Sequence, residues 1–296
     1  MLKQRVITAI VLLAVLIGAY MAGPVVLSGV MAVGFTLALW EWLKLAGITA
    51  KASALVSAVL GVAMASLTFL AYQGINSASA EAVSLLSYVT SVLVYYIAFI
   101  SLLWVGIAIR VFFARHSGMK VAPLMVALSA VFFVPAAWLS FVGMYATFGI
   151  TMILSLLVLV WVADIMAYFT GMAFGKHRMA TAISPKKSWE GVAGGMLSVI
   201  ALGYATTYFC PQIDTIASVI IEGYGAWVWA AIAFVLVTLS IIGDLYESAL
   251  KRQAGIKDSS NLLPGHGGFY DRMDALMPTL PVGFLTTLIV VSSMAA

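Results

Sequence analysis

The chain has 296 residues, of which 64% are hydrophobic and 9% charged, whereas an ordinary soluble domain is about 45–50% apolar and about 25% charged. Its 15 Lys/Arg and 11 Asp/Glu are too few to coat a water-soluble particle of this size, which excludes a soluble protein. The formal charge of +4 does not point to a nucleic-acid partner, because the basic residues sit in short segments between apolar runs, where they report membrane topology. Cys210 is the single cysteine, so an intrachain disulfide and a cysteine-rich metal site are excluded as well.

No charge lies between Arg5 and Glu41, between Lys51 and Glu81, between Glu81 and Arg110, or between Lys120 and Asp164. Each of these runs exceeds the roughly 20 residues that a helix needs to cross a bilayer. The pattern predicts an all-α polytopic membrane protein with about nine transmembrane helices, near 6–22, 24–42, 52–72, 89–110, 121–139, 146–170, 191–209, 226–246 and 275–293. Gly23-Pro24 supplies the turn between the first two spans. Met1-Leu2-Lys3-Gln4-Arg5 before an apolar run resembles a signal peptide, but no small-residue cleavage site follows, and it is read as an uncleaved first helix. Glu41 and Lys44 read as an ordinary helix-end pair.

With the N-terminus cytoplasmic, the inner segments 1–5, 43–51, 111–120, 171–190 and 247–274 hold every Lys and Arg except Arg110, which sits at the inner end of the fourth span. The outer side has Glu81, Asp214 and Glu222. This is the positive-inside bias, and it places the C-terminus in the periplasm. Residues 1–145 are expected to form scaffold helices with room for a lipid groove. Residues 146–296 form the expected catalytic region, with cytoplasmic loops 171–190 and 247–274.

Charge concentrates in that second half. Segment 243–274 carries Asp244, Glu247, Asp258, Asp271 and Asp274 among Lys251, Arg252, Lys257 and Arg272; a topology signal has no use for the carboxylates. Asp244 and Glu247 are three apart, so a helix continuing out of the eighth span puts them on one face, and Lys251 extends it. Asp271 and Asp274 repeat the spacing at the start of the last span. Two helix ends with spaced carboxylates, joined by a loop bearing Lys257-Asp258, can converge on a hard divalent cation, Mg²⁺ or Mn²⁺ rather than zinc. Magnesium usually shares its shell with phosphates, which the interleaved Lys and Arg suit. Pro264-Gly265-His266-Gly267-Gly268 can present backbone N–H groups to an anion. The alternative is a solvated interfacial loop laced with salt bridges.

The preceding inner loop reads Gly175-Lys176-His177-Arg178, then Ser184-Pro185-Lys186-Lys187-Ser188-Trp189-Glu190-Gly191. It is either a positive-inside loop with a Ser-Pro turn and a helix start, or a phosphate clamp built on Lys186 and Lys187, with Glu190 as a further ligand or supporting partner. Asp164 is the only carboxylate deep in a predicted span, where an ionisable group is costly and faces a polar cavity or a partner. Interhelical hydrogen bonding is its plainer role.

Ser248-Ala249-Leu250-Lys251-Arg252, Lys257-Asp258 and Pro264-Gly265-His266-Gly267-Gly268-Phe269-Tyr270-Asp271-Arg272-Met273-Asp274 together resemble the signature of the phosphatidate cytidylyltransferase family, also known as CDP-diacylglycerol synthases. Asp164 through Tyr168, Gly171, Phe174 through His177, and Ser184 through Gly191 are similar to that family too; the likeness is strong over about 160–275. The resemblance implies a multi-pass enzyme of the inner membrane, its site facing the cytoplasm, that makes CDP-diacylglycerol and pyrophosphate from CTP and phosphatidate with a divalent cation. It implies Asp258 and Asp271 as core metal-site carboxylates, supported by Asp244, Glu247 and Asp274. Catalytic roles fall to Asp258, Asp271, Lys257 and Arg272, and phosphate binding to Lys186, Lys187, Lys251, Arg252, Ser248, His266, Gly267 and Gly268. Asp164 and Glu190 are candidates whose contact with metal or substrate the resemblance does not settle. A homodimer is compatible with it. Two lipid-headgroup rivals fit less well: CDP-alcohol phosphotransferases carry a denser aspartate run, and membrane prenyltransferases carry two Asp-rich loops. A transporter could use Asp164, but gives no reason for a loop mixing carboxylates with cations.

Overall fold

A computed structural model of the chain describes residues 2–77 and 80–294, without the side chains of 2–3, 74–77 and 80–87. The side chains of Lys3 and Glu81, which enter the topology argument, and residues 295–296 therefore lie outside what is described. In chain order the elements are α1 (Leu2–Ala22), α2 (Pro24–Leu45), α3 (Ala50–Ser77), α4 (Ala80–Ala114), α5 (Pro123–Phe148) and α6 (Ile150–Phe174). They continue with β1 (Arg178–Ala180), β2 (Ser184–Ser188), α7 (Trp189–Phe209), α8 (Ile216–Tyr224), α9 (Ala226–Gln253), α10 (Tyr270–Met273) and α11 (Leu276–Met294). Among the described residues nine helical stretches are long and apolar enough to cross a membrane, α10 and α11 counting as one. Their positions agree with the charge gaps, and the chain is a multi-pass helical membrane protein.

By packing, the chain divides into two compact units. The first is Met1–Ile100, Val121–Val142 and Leu250–Met273; the second is Ser101–Lys120, Gly143–Ala249 and Asp274–Ala296. Helices α4, α5 and α9 contribute residues to both.

The first unit is organised by α2, whose buried positions Ser28, Ala32, Phe35, Leu39 and Trp42 recur every three to four residues and so share one face. Trp42 stacks on Tyr270 with ring centroids 4.4 Å apart and meets Phe133 edge-on at 6.3 Å. In hydrocarbon this close packing replaces the water-driven term as the source of cohesion. Gln253 closes the unit's other end: its Nε2 donates to the Val121 carbonyl at 2.7 Å, and its Oε1 accepts from the Val121 N–H at 2.8 Å.

In the second unit, α6 and α7 meet along small residues. A methyl group on Gly191 would stand 2.7 Å from the Ala167 carbonyl oxygen, and one on Gly195 would stand 2.8 Å from that of Ala163. Ala163, Ala167 and Gly171 on one helix thus face Gly191 and Gly195 on the other, the small-xxx-small arrangement that lets membrane helices touch backbone to backbone. Between these helices, 171–190 is not an irregular loop. β1 and β2 pair antiparallel, Arg178 opposite Ser188 and Ala180 opposite Ser184. Pro185 is tolerated because a two-stranded ribbon has only edges. Ser188 then caps α7, its Oγ accepting the Gly191 N–H at 3.2 Å.

Candidate functional site

Helix α9 extends beyond its expected end to Gln253, which keeps Asp244 and Glu247 on one helical face. Asp274 joins them: one carboxylate oxygen from each of Asp244, Glu247 and Asp274 lies within 4.8 Å of the other two. Glu247 is only 1% exposed. At an effective dielectric near 20, two ionised carboxylates at that distance repel by about 3.5 kcal/mol. A cation nearby lowers that cost.

One is present. Lys187, near the end of β2, places Nζ 2.5 Å from Asp244 Oδ2, with its side chain 26% exposed, and Ser248 Oγ donates to Asp244 Oδ1 at 3.2 Å. Burial by itself disfavours the charge on Lys187. The field and hydrogen bond of Asp244, with Asp164 and Asp274 behind them, outweigh burial and hold the ammonium above the ordinary lysine range. Asp164 thus takes part in the electrostatics of this cluster. Lysine brings one positive charge to three carboxylates, and a divalent cation is the further partner that matches an all-oxygen donor set in charge and hardness.

Asp274 reaches this position because the last span is interrupted. The expectation that Asp271 and Asp274 share a helical face is corrected: α10 ends at Met273, a turn holds Asp274 and Ala275, and α11 begins at Leu276. Pro278 has no N–H for the Asp274 carbonyl four residues earlier, and its ring crowds that carbonyl. Gly243 receives the freed peptide, since a methyl group there would meet the Asp274 carbonyl carbon and Pro278 Cδ, each at 3.0 Å.

Asp271 belongs to a second polar constellation, in the first unit. Its Oδ1 accepts from Lys251 Nζ at 2.6 Å, and its side chain is 6% exposed. Oδ2 accepts from the Ser259 N–H (2.9 Å) and the Gly268 N–H (2.8 Å), and shares the one proton of the Ser259 hydroxyl, 2.9 Å away, with Glu41. Asp258 is exposed but close by, because a methyl group on Gly267 would lie 2.6 Å from Asp271 Oδ2 and 3.5 Å from Asp258 Cβ. Gly265 and Gly267 have φ of 78° and 83°, a region L-residues avoid, and between them the His266 N–H donates to the Leu263 carbonyl at 2.8 Å. Arg272 steadies the same turn, its Nε and Nη2 donating to the His266 carbonyl at 3.0 and 2.8 Å. Lys186, Arg252 and Lys257 are exposed. Glu190 is engaged with His177, whose Nδ1 lies 2.6 Å from Oε1 and whose backbone N–H donates to both carboxylate oxygens at 3.2 Å. That pairing braces the base of the β1–β2 hairpin.

The structure adds Glu41, expected from its spacing to Lys44 to be half of an ordinary helix-end pair. Lys44 instead lies over the Trp40 ring, 4.2 Å from its centroid, and Glu41 is 0% exposed. Its Oε1 accepts from Ser260 Oγ (2.5 Å) and the Phe269 N–H (3.1 Å); its Oε2 accepts from Ser259 Oγ (2.9 Å) and the Tyr270 N–H (2.7 Å). Hydrogen bonds to a charged group are worth about 1.5–3 kcal/mol each, enough together to offset a burial cost of several kcal/mol. A methyl group on Gly268 would run into Ser259 Oγ and both Glu41 oxygens. The sequence signal was present but weak: a carboxylate after 35 uncharged residues, at a position that α2 places beside its buried stripe.

Fold and site together define a polytopic membrane protein whose polar residues gather in a carboxylate cluster and in a glycine-bearing turn. A sequence model of the cytidylyltransferase family matches residues 3–290, and the chain belongs to that family. It is 39% identical over 296 aligned residues to the phosphatidate cytidylyltransferase of Pseudomonas aeruginosa, with 95% of each chain covered. Proteins of the same description from Haemophilus influenzae and Thermotoga maritima are each 41% identical. The first alignment covers 45% of this chain and 44% of the relative, the second 49% and 52%.

Proposed function

We propose that this chain is a phosphatidate cytidylyltransferase, transferring the cytidylyl group of CTP to phosphatidate to give CDP-diacylglycerol and pyrophosphate. What carries the reading is the convergence of Asp244, Glu247 and Asp274 beside Lys187, in a chain alike over 95% of its length to a relative of that name. A phosphate oxygen of phosphatidate forms a bond to the α-phosphorus of CTP as the bond from that phosphorus to the bridging oxygen breaks, and pyrophosphate leaves with the electron pair. No side-chain nucleophile is required, because the lipid phosphate is already an anion at neutral pH. The barrier lies in bringing two anions together, and fixed cations lower it.

Asp244, Glu247 and Asp274 are the residues that would hold Mg²⁺ or Mn²⁺, which when bound supplies positive charge to phosphoryl oxygens. Asp258 and Asp271, which carry the family resemblance, serve the same reaction from the signature loop. Lys187 offsets the carboxylate charge and remains an ammonium at working pH. Lys186, Arg252 and Lys257, being exposed, are free to meet the CTP phosphates, while Arg272 and Lys251 stiffen the loop that presents the Gly267 and Gly268 amides. The N-terminus and the site face the cytoplasm of the inner membrane, the C-terminus faces the periplasm, and the lipid keeps its acyl chains in the bilayer. Residues 1–145 are chiefly scaffold, and the chemistry lies in 146–296.

The test is incorporation of radiolabelled CTP into lipid by the purified protein, with and without phosphatidate. Product that depends on phosphatidate and CTP, and not on ATP or GTP, is expected. A wild-type protein that is folded and makes no such product sinks the proposal.

A further inference from the structure

Glu41 is a buried carboxylate that the proposed chemistry does not use. It lies on α2, within the stretch expected to be scaffold, yet all four donors it accepts belong to the segment 259–270: two hydroxyls and two consecutive backbone amides. The amides are those of Phe269 and Tyr270, where α10 begins. A helix of one turn cannot hold itself together by its own ladder. Its entry angle is therefore imposed from outside, by the carboxylate that receives these N–H groups.

The same segment carries Gly267 and Gly268, whose amides the proposed function offers to phosphate, and Asp271 follows it directly. Ser259 links the two acids, its Oγ lying 2.9 Å from Glu41 Oε2 and 2.9 Å from Asp271 Oδ2. The space at Gly268 is filled by Ser259 Oγ and the Glu41 carboxylate, so the glycine amide that donates to Asp271 is held where Glu41 stands. Further along, Thr8 Oγ1 donates to the Pro264 carbonyl at 3.0 Å, away from 268–270, where the Gly268 amide goes to Asp271, the Tyr270 ring to Trp42, and the Phe269 and Tyr270 amides to Glu41.

We infer that Glu41 is a positioning residue of the transfer reaction: it touches neither substrate nor cation, and fixes the loop 259–270 in the shape that receives the CTP phosphates. This rests on the proposed function. A role in fold stability alone would lower the active fraction, and so kcat, without changing KM. A positioning role raises KM for the substrate that the loop holds.

The experiment uses full-length protein in lipid nanodiscs, with Glu41→Gln and, as a milder change, Ser260→Ala. Glutamine keeps the size but replaces one acceptor oxygen by an amino group that cannot accept. KM for CTP is expected to rise about tenfold in Glu41→Gln and a few-fold in Ser260→Ala, while KM for phosphatidate stays within twofold. Amide exchange should quicken in peptides covering 259–270 and remain unchanged in peptides from α6 and α7. An active wild type with unchanged CTP KM in both variants, or a loss confined to kcat that tracks the folded fraction, overturns the role of Glu41. If Glu41→Gln does not fold, Ser260→Ala decides by the same criterion. An inactive wild type would instead count against the function, with the exchange result still reporting whether Glu41 holds the loop.

Discussion

The two polar constellations use carboxylates in opposite ways. In the second unit, Asp244, Glu247 and Asp274 face one another within 4.8 Å, an arrangement that repels itself and is partly offset by the Lys187 ammonium. In the first unit, Asp271 and Glu41 are surrounded by protein donors: one ammonium, serine hydroxyls and backbone amides. The first arrangement keeps unfavourable charge close together. The second spends its charge on shape.

This contrast can be broken experimentally. The largest effect is expected at the self-repelling cluster: chelation with EDTA, or Asp274→Asn, should reduce cytidylyl transfer by about 10³-fold or more, the upper range for losing one preorganised electrostatic element. Mg²⁺ or Mn²⁺ should restore the chelated wild type and leave Asp274→Asn inactive. Asp271→Asn should cost roughly 10²-fold by another route, because an amide nitrogen cannot accept where the carboxylate does; its mark is faster exchange across 259–270, which Asp274→Asn should not show.

Gly243→Ala tests how the cluster is assembled. It should displace the Asp274 peptide and lower stability by about 1–3 kcal/mol, the usual cost of overpacking, as read by thermal unfolding, and it should raise the Mg²⁺ concentration needed for half-maximal activity. The smallest effect is expected for Lys186→Ala, an exposed cation: a rise in CTP KM of tenfold or less, shrinking as salt is raised because exposed charges are screened. A larger, salt-insensitive loss would mean that Lys186 belongs with the buried machinery.

The membrane spans were legible because hydropathy is a one-dimensional signal: charge gaps such as Lys120 to Asp164 read directly as helices. The pairing of Asp244 with Glu247 was legible for the same reason, as it needs only a helix that continues. The break at Asp274 was written in Pro278, but it became readable only once Gly243 was seen to accept the displaced carbonyl. Glu41 was misread because local spacing offered Lys44 as a partner, whereas its actual partners lie more than two hundred residues away and one sequence does not reveal such pairs. The glycines that join α6 to α7 went unread because small residues mean contact only when a second helix is known to be there.

That seam bears on Lys187. The hairpin β1–β2 hangs between the end of α6 and the start of α7, so two helices in backbone contact fix its feet at one spacing, like the legs of a staple. Its tip is tethered too, the Ala182 N–H donating to the Arg115 carbonyl at 3.2 Å and Thr181 Oγ1 lying 3.0 Å from His116 Nδ1. Lys187 stands at a foot, one residue before the cap of α7, where the ribbon has least play; Lys186 is next to it and exposed. Neighbouring lysines thereby acquire different mechanical characters, one a fixed post and the other a swinging arm.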